Sequence, residues 1–457
     1  MKALKIIGSA VLILICLTLI LFSGSLLLQA LPREKPEPAI LSTDQLFPEE
    51  VPVELPAEEP AETPPTEEEE PAEEPEPPVE EEEPPTEEPP VEEPPAEEEI
   101  PAATAQWGAE AWLANAQAYL DTMTLEEKIW QLFLATPEQL TQVTTATVAG
   151  EATRNALETM PVGGLCYFAP NLENQEQAQA LLTTTQTYAK TPLFLAVDEE
   201  GGRVSRAGAN ESIAVTHIEA AAVFGAQADM AQVYNAGKTM AQELLTLGFN
   251  LNFAPVADVV TNPNNTEIGD RSYSSDPTVA GPLVSAMVEG LQRGGMAACL
   301  KHFPGHGSTE VDSHTDTAVS NRTLQELRET EWLPFRRGLE KGVAFVMVGH
   351  LTNENLSALP ASLSPEIIGC LREELGFRGI VITDSLQMGA IVNHYTSAQA
   401  AVMALQAGAD MLLMPNDLAT AYAGIEAAVA DGTLTEDRIN ESVLRILATK
   451  YQFGIME

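Results

Sequence analysis

The sequence predicts an α/β fold, a (β/α)8 barrel of the TIM type over residues 106–457. Three observations predict it. Eight short apolar runs alternate with longer amphipathic stretches across the 352 residues from Gln106 onward, the pattern of strand and crossover helix in a parallel sheet. Polar residues gather where these runs finish, as they do on the catalytic face of such a barrel. No glycine-rich phosphate fingerprint follows any run, which weighs against the alternative, a doubly wound open sheet.

The N-terminus is a separate matter. Ile6–Leu31 is almost wholly apolar, long enough for the ~20 residues of a membrane-spanning helix. Lys2 and Lys5 precede it, so residues 1–31 predict a cytoplasmic stub and single-pass anchor with everything downstream exported. A cleaved signal peptide, leaving a secreted product, is the competing reading, although such apolar regions usually run only ~7–15 residues. Residues 32–105 carry 27 Asp and Glu against Arg33 and Lys35, and 20 of the 33 prolines. Repelling glutamates and missing backbone donors prevent helix and core alike, so this stretch reads as a disordered, extended linker reaching roughly 200 Å at most.

Within 106–457 the first strand is expected at Trp130–Thr136, after a helix opened by a Thr124-x-x-Glu127 capping box. The next four are Gly163–Phe168, Leu193–Asp198, Leu251–Asp258 and Ala297–His302, and the last three Ala344–His350, Ile380–Asp384 and Met411–Pro415. Ala231–Leu247 and Leu324–Lys341 are the clearest helices between them. Asp198, Asp258, Lys301, His302, His350 and Asp384 then all stand at strand ends. One acid there usually caps the next helix; six convergent polar residues are harder to explain by capping.

Three motifs carry chemistry. Asp198-Glu199-Glu200-Gly201-Gly202-Arg203-Val204-Ser205-Arg206 combines acids that accept hydroxyl hydrogen bonds with glycines that admit close backbone approach. Alone it is equally well a turn. Lys301-His302-Phe303-Pro304-Gly305-His306-Gly307 leads on to Asp312-Ser313-His314. Pro304 and Gly305 prevent the helix that would make His302 and His306 a metal pair, so no metal is expected. Asp312 can hold one ring nitrogen of His314 and leave the other to exchange protons near neutral pH. Val381-Ile382-Thr383-Asp384 delivers a carboxylate to the barrel mouth, where it can attack an electrophilic carbon. Cys166, Cys299 and Cys370 are scattered through apolar surroundings, and Cys16 lies in the N-terminal run, so no disulfide framework is predicted.

Together with Met123-Thr124-Leu125-Glu126-Glu127-Lys128, Phe253-Ala254-Pro255-Val256-Ala257-Asp258 and Ile268-Gly269-Asp270-Arg271-Ser272, these motifs closely resemble glycoside hydrolase family 3, in particular its β-N-acetylhexosaminidase branch. The resemblance covers residues 108–457 and neither anchor nor linker. It implies a retaining exo-hydrolase that removes β-linked N-acetylglucosamine from glycans or cell-wall muropeptides, needing no cofactor. Asp384 would be the nucleophile. His314, oriented by Asp312, would be acid and then base, with no second-domain glutamate expected because little sequence follows the eighth unit. Asp198, Arg206, Arg271, Lys301 and His302 would bind the terminal sugar. Glu199 stands where the family pattern leads one to expect glutamine.

Two rival functions stay open on the sequence. A phosphorylase is compatible with a histidine acid, which tolerates incoming phosphate better than a carboxylate would. A non-catalytic wall-binding module on a stalk is the other, although Asp384, Asp312 and His314 are all intact. A formal charge of −45 without a basic patch speaks against a nucleic-acid partner. Oligomeric state is not legible in the sequence.

Overall fold

A computed structural model of the chain describes residues 110–309 and 318–457. The predicted anchor (1–31) and linker (32–105) lie outside the described residues, as do Asp312 and His314. Among the described residues, no helix is long and apolar enough to cross a membrane.

The strands in chain order are β1 (Phe133–Ala135), β2 (Gly164–Tyr167), β3 (Phe194–Val197), β4 (Leu251–Asn252), β5 (Ala297–Phe303) and β6 (Val319–Ser320). They continue as β7 (Phe345–Val348), β8 (Thr352–Asn353), β9 (Ser357–Pro360), β10 (Ile380–Thr383) and β11 (Leu412–Leu413). Eight of them form one sheet in the order β10-β7-β5-β4-β3-β2-β1-β11, with every neighbouring pair parallel. All eight predicted runs contribute a strand. The remaining three, β6, β8 and β9, make a small separate sheet.

The sheet nearly closes. A single Ile382–Met411 bridge joins β10 to the start of β11, helped by Thr383 N–H donating to Met411 O at 3.1 Å. Asp410 adds a charged stitch at this seam. Its buried carboxylate accepts Val381 N–H at 2.9 Å, Ser442 Oγ at 2.7 Å and Arg445 Nη1 at 2.8 Å, and also pairs with Arg372. Burial pushes this carboxyl up, but the surrounding arginines outweigh it and hold it ionised. Inside the barrel Phe194 of β3 meets Phe345 of β7 edge to face at 5.1 Å. These strands are not neighbours, so the two rings touch across the lumen and fill it, as expected of a packed barrel.

Three departures from the predicted elements have local causes. The run 251–258 is laddered only at β4, because Pro255 has no N–H to donate; pairing resumes at an isolated Val256–Lys301 bridge. The helix expected over 324–341 is two helices, Leu324–Glu329 and Trp332–Leu339. Pro334 cannot donate back to Thr330, and its ring crowds that carbonyl. The Thr124 capping box is present, but its helix runs on to Gln131, so β1 starts three residues later than predicted.

Candidate active site

β5 supplies two neighbouring side chains to one place. Against β7, Leu300 pairs with Val346 but Phe303 with Val348, so β5 spends one extra residue over this interval. A bulge of this kind breaks the alternation of faces. Lys301 and His302, consecutive in sequence, both line the same pocket.

That pocket measures about 410 Å³, near the small end of the ~300–1,000 Å³ usual for ligand sites. Asp198, Arg206, Arg271, Lys301, His302 and Asp384 all line it. Every predicted site residue among the described ones is therefore brought together. The lining also includes the apolar Cys166, Phe168, Met347 and Met414, and the Arg206 guanidinium lies 5.8 Å from the centre of the Phe168 ring.

The polar side is organised by a residue the sequence reading did not assign. Glu200 pairs bidentately with Arg271 (2.8 and 3.0 Å) and contacts Lys301 Nζ at 2.6 Å. Lys301 Nζ also donates to Asp198 Oδ1 at 2.6 Å. Burial raises the Glu200 carboxyl, but the Lys301 and Arg271 charges outweigh it and hold it far below the ordinary range. Burial would likewise discharge Lys301, and the Asp198 and Glu200 carboxylates keep it protonated. Arg271 is thus committed to Glu200 and, at 3.2 Å, to Glu267, so it stiffens the wall as well as facing the pocket. Arg206 differs: its Nη2 is 4.0 Å from Asp198 Oδ2, and its buried Nε has no hydrogen-bond partner among the described residues. Glu200 could have been suspected, since an extended chain puts residues 198 and 200 on the same face.

Glu199 settles into the loop itself. Its buried carboxylate accepts Arg206 N–H and Ala207 N–H, each at 2.8 Å, and the Ser205 hydroxyl. Asn252, at the end of β4, brackets it by accepting Glu199 N–H at 3.0 Å and donating to Glu199 O at 2.8 Å. The departure from glutamine is absorbed by a cradle of donors that positions Arg206.

Asp258 anchors the histidine loop. It accepts His302 Nδ1 at 2.7 Å and His306 N–H at 2.7 Å. Burial pushes its carboxyl up, while the charge and hydrogen bonds from His302 outweigh this and lower it. Asp258 was recognised as a strand end but not as the anchor of the histidine loop. Gly307 is needed there because an added Cβ would lie 2.0 Å from Val259 O. His302 and His306 are spoken for by Asp258 and by Thr309 Oγ1 at 3.1 Å. Among the described residues no group of three or more His, Cys, Asp or Glu could hold a metal ion.

Asp384 follows β10 directly. Ser385 N–H donates to its Oδ1 at 2.7 Å, and no hydrogen bond to Oδ2 is seen among the described residues. Burial raises this carboxyl, but His302, His350 and that backbone donor lower it below its ordinary value. His350 is placed by Ser362 Oγ at 2.7 Å and Ser385 O at 2.8 Å.

A nearly closed parallel barrel with an ionised carboxylate among sugar-sized polar groups at its strand ends is the architecture of a glycosidase-type enzyme. Residues 124–449 match the model of the glycosyl hydrolase family 3 N-terminal domain. The chain belongs to glycosyl hydrolase family 3. It is 31% identical over 318 residues to β-hexosaminidase A of Pseudoalteromonas piscicida, covering 63% of this chain and 53% of that one. It is 38% identical over 278 residues to a β-hexosaminidase of Tolumonas auensis, covering 59% and 80%. The chain thus spans about half the length of the first relative and most of the second. A solved family 3 β-N-acetylglucosaminidase from Paenibacillus sp. FPU-7 superposes with a TM-score of 0.69 at 36% identity, over 73% of this chain and 63% of that one.

Proposed function

We propose that this chain is a retaining, exo-acting β-N-acetylhexosaminidase that removes terminal β-linked N-acetylglucosamine from glycans or cell-wall muropeptides. The observation that carries the reading is Asp384, kept ionised at the end of β10 in a pocket shared with Asp198, Arg206, Lys301 and His302. A carboxylate so placed can attack C1 through Oδ2 while Ser385 N–H steadies Oδ1. Asp198, Arg206 and Lys301 supply acceptors and donors for the hydroxyls of one sugar. A pocket of this size suits a terminal residue rather than the middle of a chain. The relatives' names as β-hexosaminidases and a β-N-acetylglucosaminidase support the substrate class.

His314, oriented by Asp312, is assigned as the proton donor to the leaving oxygen and then as the base that activates water. One observation favours a second assignment. His302 with Asp258 is also a carboxylate–histidine pair, and it stands in the pocket. The first assignment is preferred because the family resemblance implies His302 as a sugar ligand and His314 as the acid. In the same reading the chain is held to the cell membrane by residues 1–31, with the barrel on the outer side.

The test is hydrolysis of a chromogenic N-acetylglucosaminide by the wild type and by Asp384→Asn. Loss of turnover by about 10³-fold or more, with retention of anomeric configuration in the wild-type product, is expected. Undiminished turnover in the variant would overturn the assignment of the nucleophile.

A further inference from the structure

His350 stands among the polar strand ends beside Asp384, yet no sugar contact or proton transfer described above uses it. β7 and β10 are parallel neighbours, with Val348 opposite Thr383. The chain leaving β7 with His350 therefore runs beside the chain leaving β10 with Asp384 and Ser385. His350 is fully buried, whereas Asp384 and Ser385 both line the pocket. Its Nε2 lies 2.8 Å from Ser385 O and its Nδ1 2.7 Å from Ser362 Oγ. A carbonyl oxygen can only accept, so Nε2 carries a hydrogen and donates it to Ser385 O. In the neutral ring Nδ1 is then the acceptor for the Ser362 hydroxyl. Ser362 is fully buried in the turn Ala361–Leu363, and its own N–H donates to Gly349 O at 3.1 Å, next to His350 in the chain. The imidazole is thus turned by a partner that is itself fixed to the end of β7.

The bond to Ser385 O gains its importance from what else Ser385 does. Ser385 N–H donates to Asp384 Oδ1 at 2.7 Å, so the backbone of Ser385 orients the carboxylate. That backbone is held on both sides. Upstream, Asp384 N–H donates to Val348 O at 2.9 Å. Downstream, the peptide between Ser385 and Leu386 is held at both of its polar ends. Leu386 N–H donates to Leu413 O of β11 at 2.9 Å, while Ser385 O receives His350 Nε2 and, at 3.1 Å, Met388 N–H. The Met388 bond only closes a turn on itself. His350 is what ties Ser385 O to the β7 side of the barrel, and losing it leaves that peptide anchored on the β11 side. Burial raises the Asp384 carboxyl while His302 and then His350 lower it, so the ring is also near enough to act on its charge.

We propose that His350, held by Ser362, is a positioning residue for the nucleophile: through Ser385 it fixes the direction from which the Asp384 carboxylate meets C1. The role rests on the reading of Asp384 as the nucleophile. Displacing a reacting group by about 1 Å can cost roughly 10²-fold in rate. Attack at C1 is common to every substrate, so the loss falls equally on good and poor leaving groups and spares binding of the sugar.

The experiment measures kcat/KM for 4-nitrophenyl N-acetylglucosaminide and for a disaccharide of N-acetylglucosamine, with the inhibition constant of free N-acetylglucosamine as the readout of sugar binding, all in the full chain. His350→Gln, His350→Asn, Ser362→Ala and Asp384→Asn are compared. The glutamine amide reaches the place of Nε2 and can still donate to Ser385 O; the asparagine amide reaches only the place of Nδ1. His350→Asn is expected to lower kcat/KM about 10²-fold on both substrates and His350→Gln only about threefold, with the inhibition constant within about twofold of wild type in each. Equal losses in His350→Asn and His350→Gln, or an inhibition constant that rises in step with the lost kcat/KM, would reduce His350 to a structural residue. Wild-type kcat/KM in His350→Asn would refute the positioning role outright, even with Asp384→Asn inactive. Undiminished turnover in Asp384→Asn would remove the nucleophile reading and this role with it. Should His350→Asn not fold, Ser362→Ala, which keeps the ring and deletes only its hydroxyl partner, decides in its place: about 10-fold lower kcat/KM with an unchanged inhibition constant supports the role, and wild-type kcat/KM overturns it.

Discussion

Lys450 is buried without a counter-ion among the described residues to explain it. Its Nζ donates to Gln131 Oε1 at 2.8 Å and lies 5.2 Å from the Phe194 ring centre. No carboxylate pairs with it among the described residues. Burial alone lowers its pKa from 10.5 to about 7. At ~1.4 kcal/mol per pH unit, that difference amounts to about 5 kcal/mol of lost stability when the amine must be charged. The sign follows from proton counting. Between pH 7 and 10.5 the unfolded chain binds the proton and the folded chain does not, so stability rises with pH through this window and the penalty is complete below it. Lys450→Met removes the penalty but strands Gln131 Oε1, which costs about 1–3 kcal/mol. The variant should therefore be more stable by about 1–3 kcal/mol at pH 7. That advantage should shrink by about 2 kcal/mol at pH 9. Guanidinium unfolding of both proteins, followed by tryptophan fluorescence at pH 7, 8 and 9, measures it. Burial also raises Cys166, Cys299 and Tyr167, which weakens the fold at high pH, but both proteins share that effect and the difference cancels it. A stability difference that does not change between pH 7 and 9 would refute the reasoning.

Two further outcomes are expected at the pocket. Glu199→Gln should leave kcat/KM within about threefold, since an amide oxygen can still accept Arg206 N–H and Ala207 N–H. Glu199→Ala should cost about 2–3 kcal/mol in stability and weaken substrate binding by freeing Arg206, as read from unfolding midpoints and KM. His302→Ala should lower kcat/KM by similar factors for aryl and sugar leaving groups if His302 binds the sugar; selective loss on the disaccharide would make it the acid instead.

The strands were legible because a parallel barrel buries both faces of each one, so each appears as a continuous apolar run with a polar residue where it emerges. Their ends were less so. Pro255 removes a donor that the apolar pattern of 251–258 does not register. The bulge in β5 has no compositional sign at all, since Ala297–Phe303 reads as an ordinary strand. Asp198, Lys301, His302 and Asp384 could be placed at one mouth from strand ends alone. Glu200 and Asp258 could not be assigned, because their partners lie dozens of residues away and pairing across strands leaves no spacing in the chain.

The bulge in β5 also makes the site sensitive to chain length in a way that residue identity does not capture. Lys301 and His302 share one wall only while β5 holds an additional residue relative to β7. Deleting one residue from Cys299–Phe303 would restore regular pairing and turn one of the two side chains outward, even if both residue types were kept. In a library that varies length as well as composition, β5 should tolerate conservative substitutions at Leu300 far better than any single-codon deletion, and a loss of activity without unfolding would mark the deletions that merely straighten the strand.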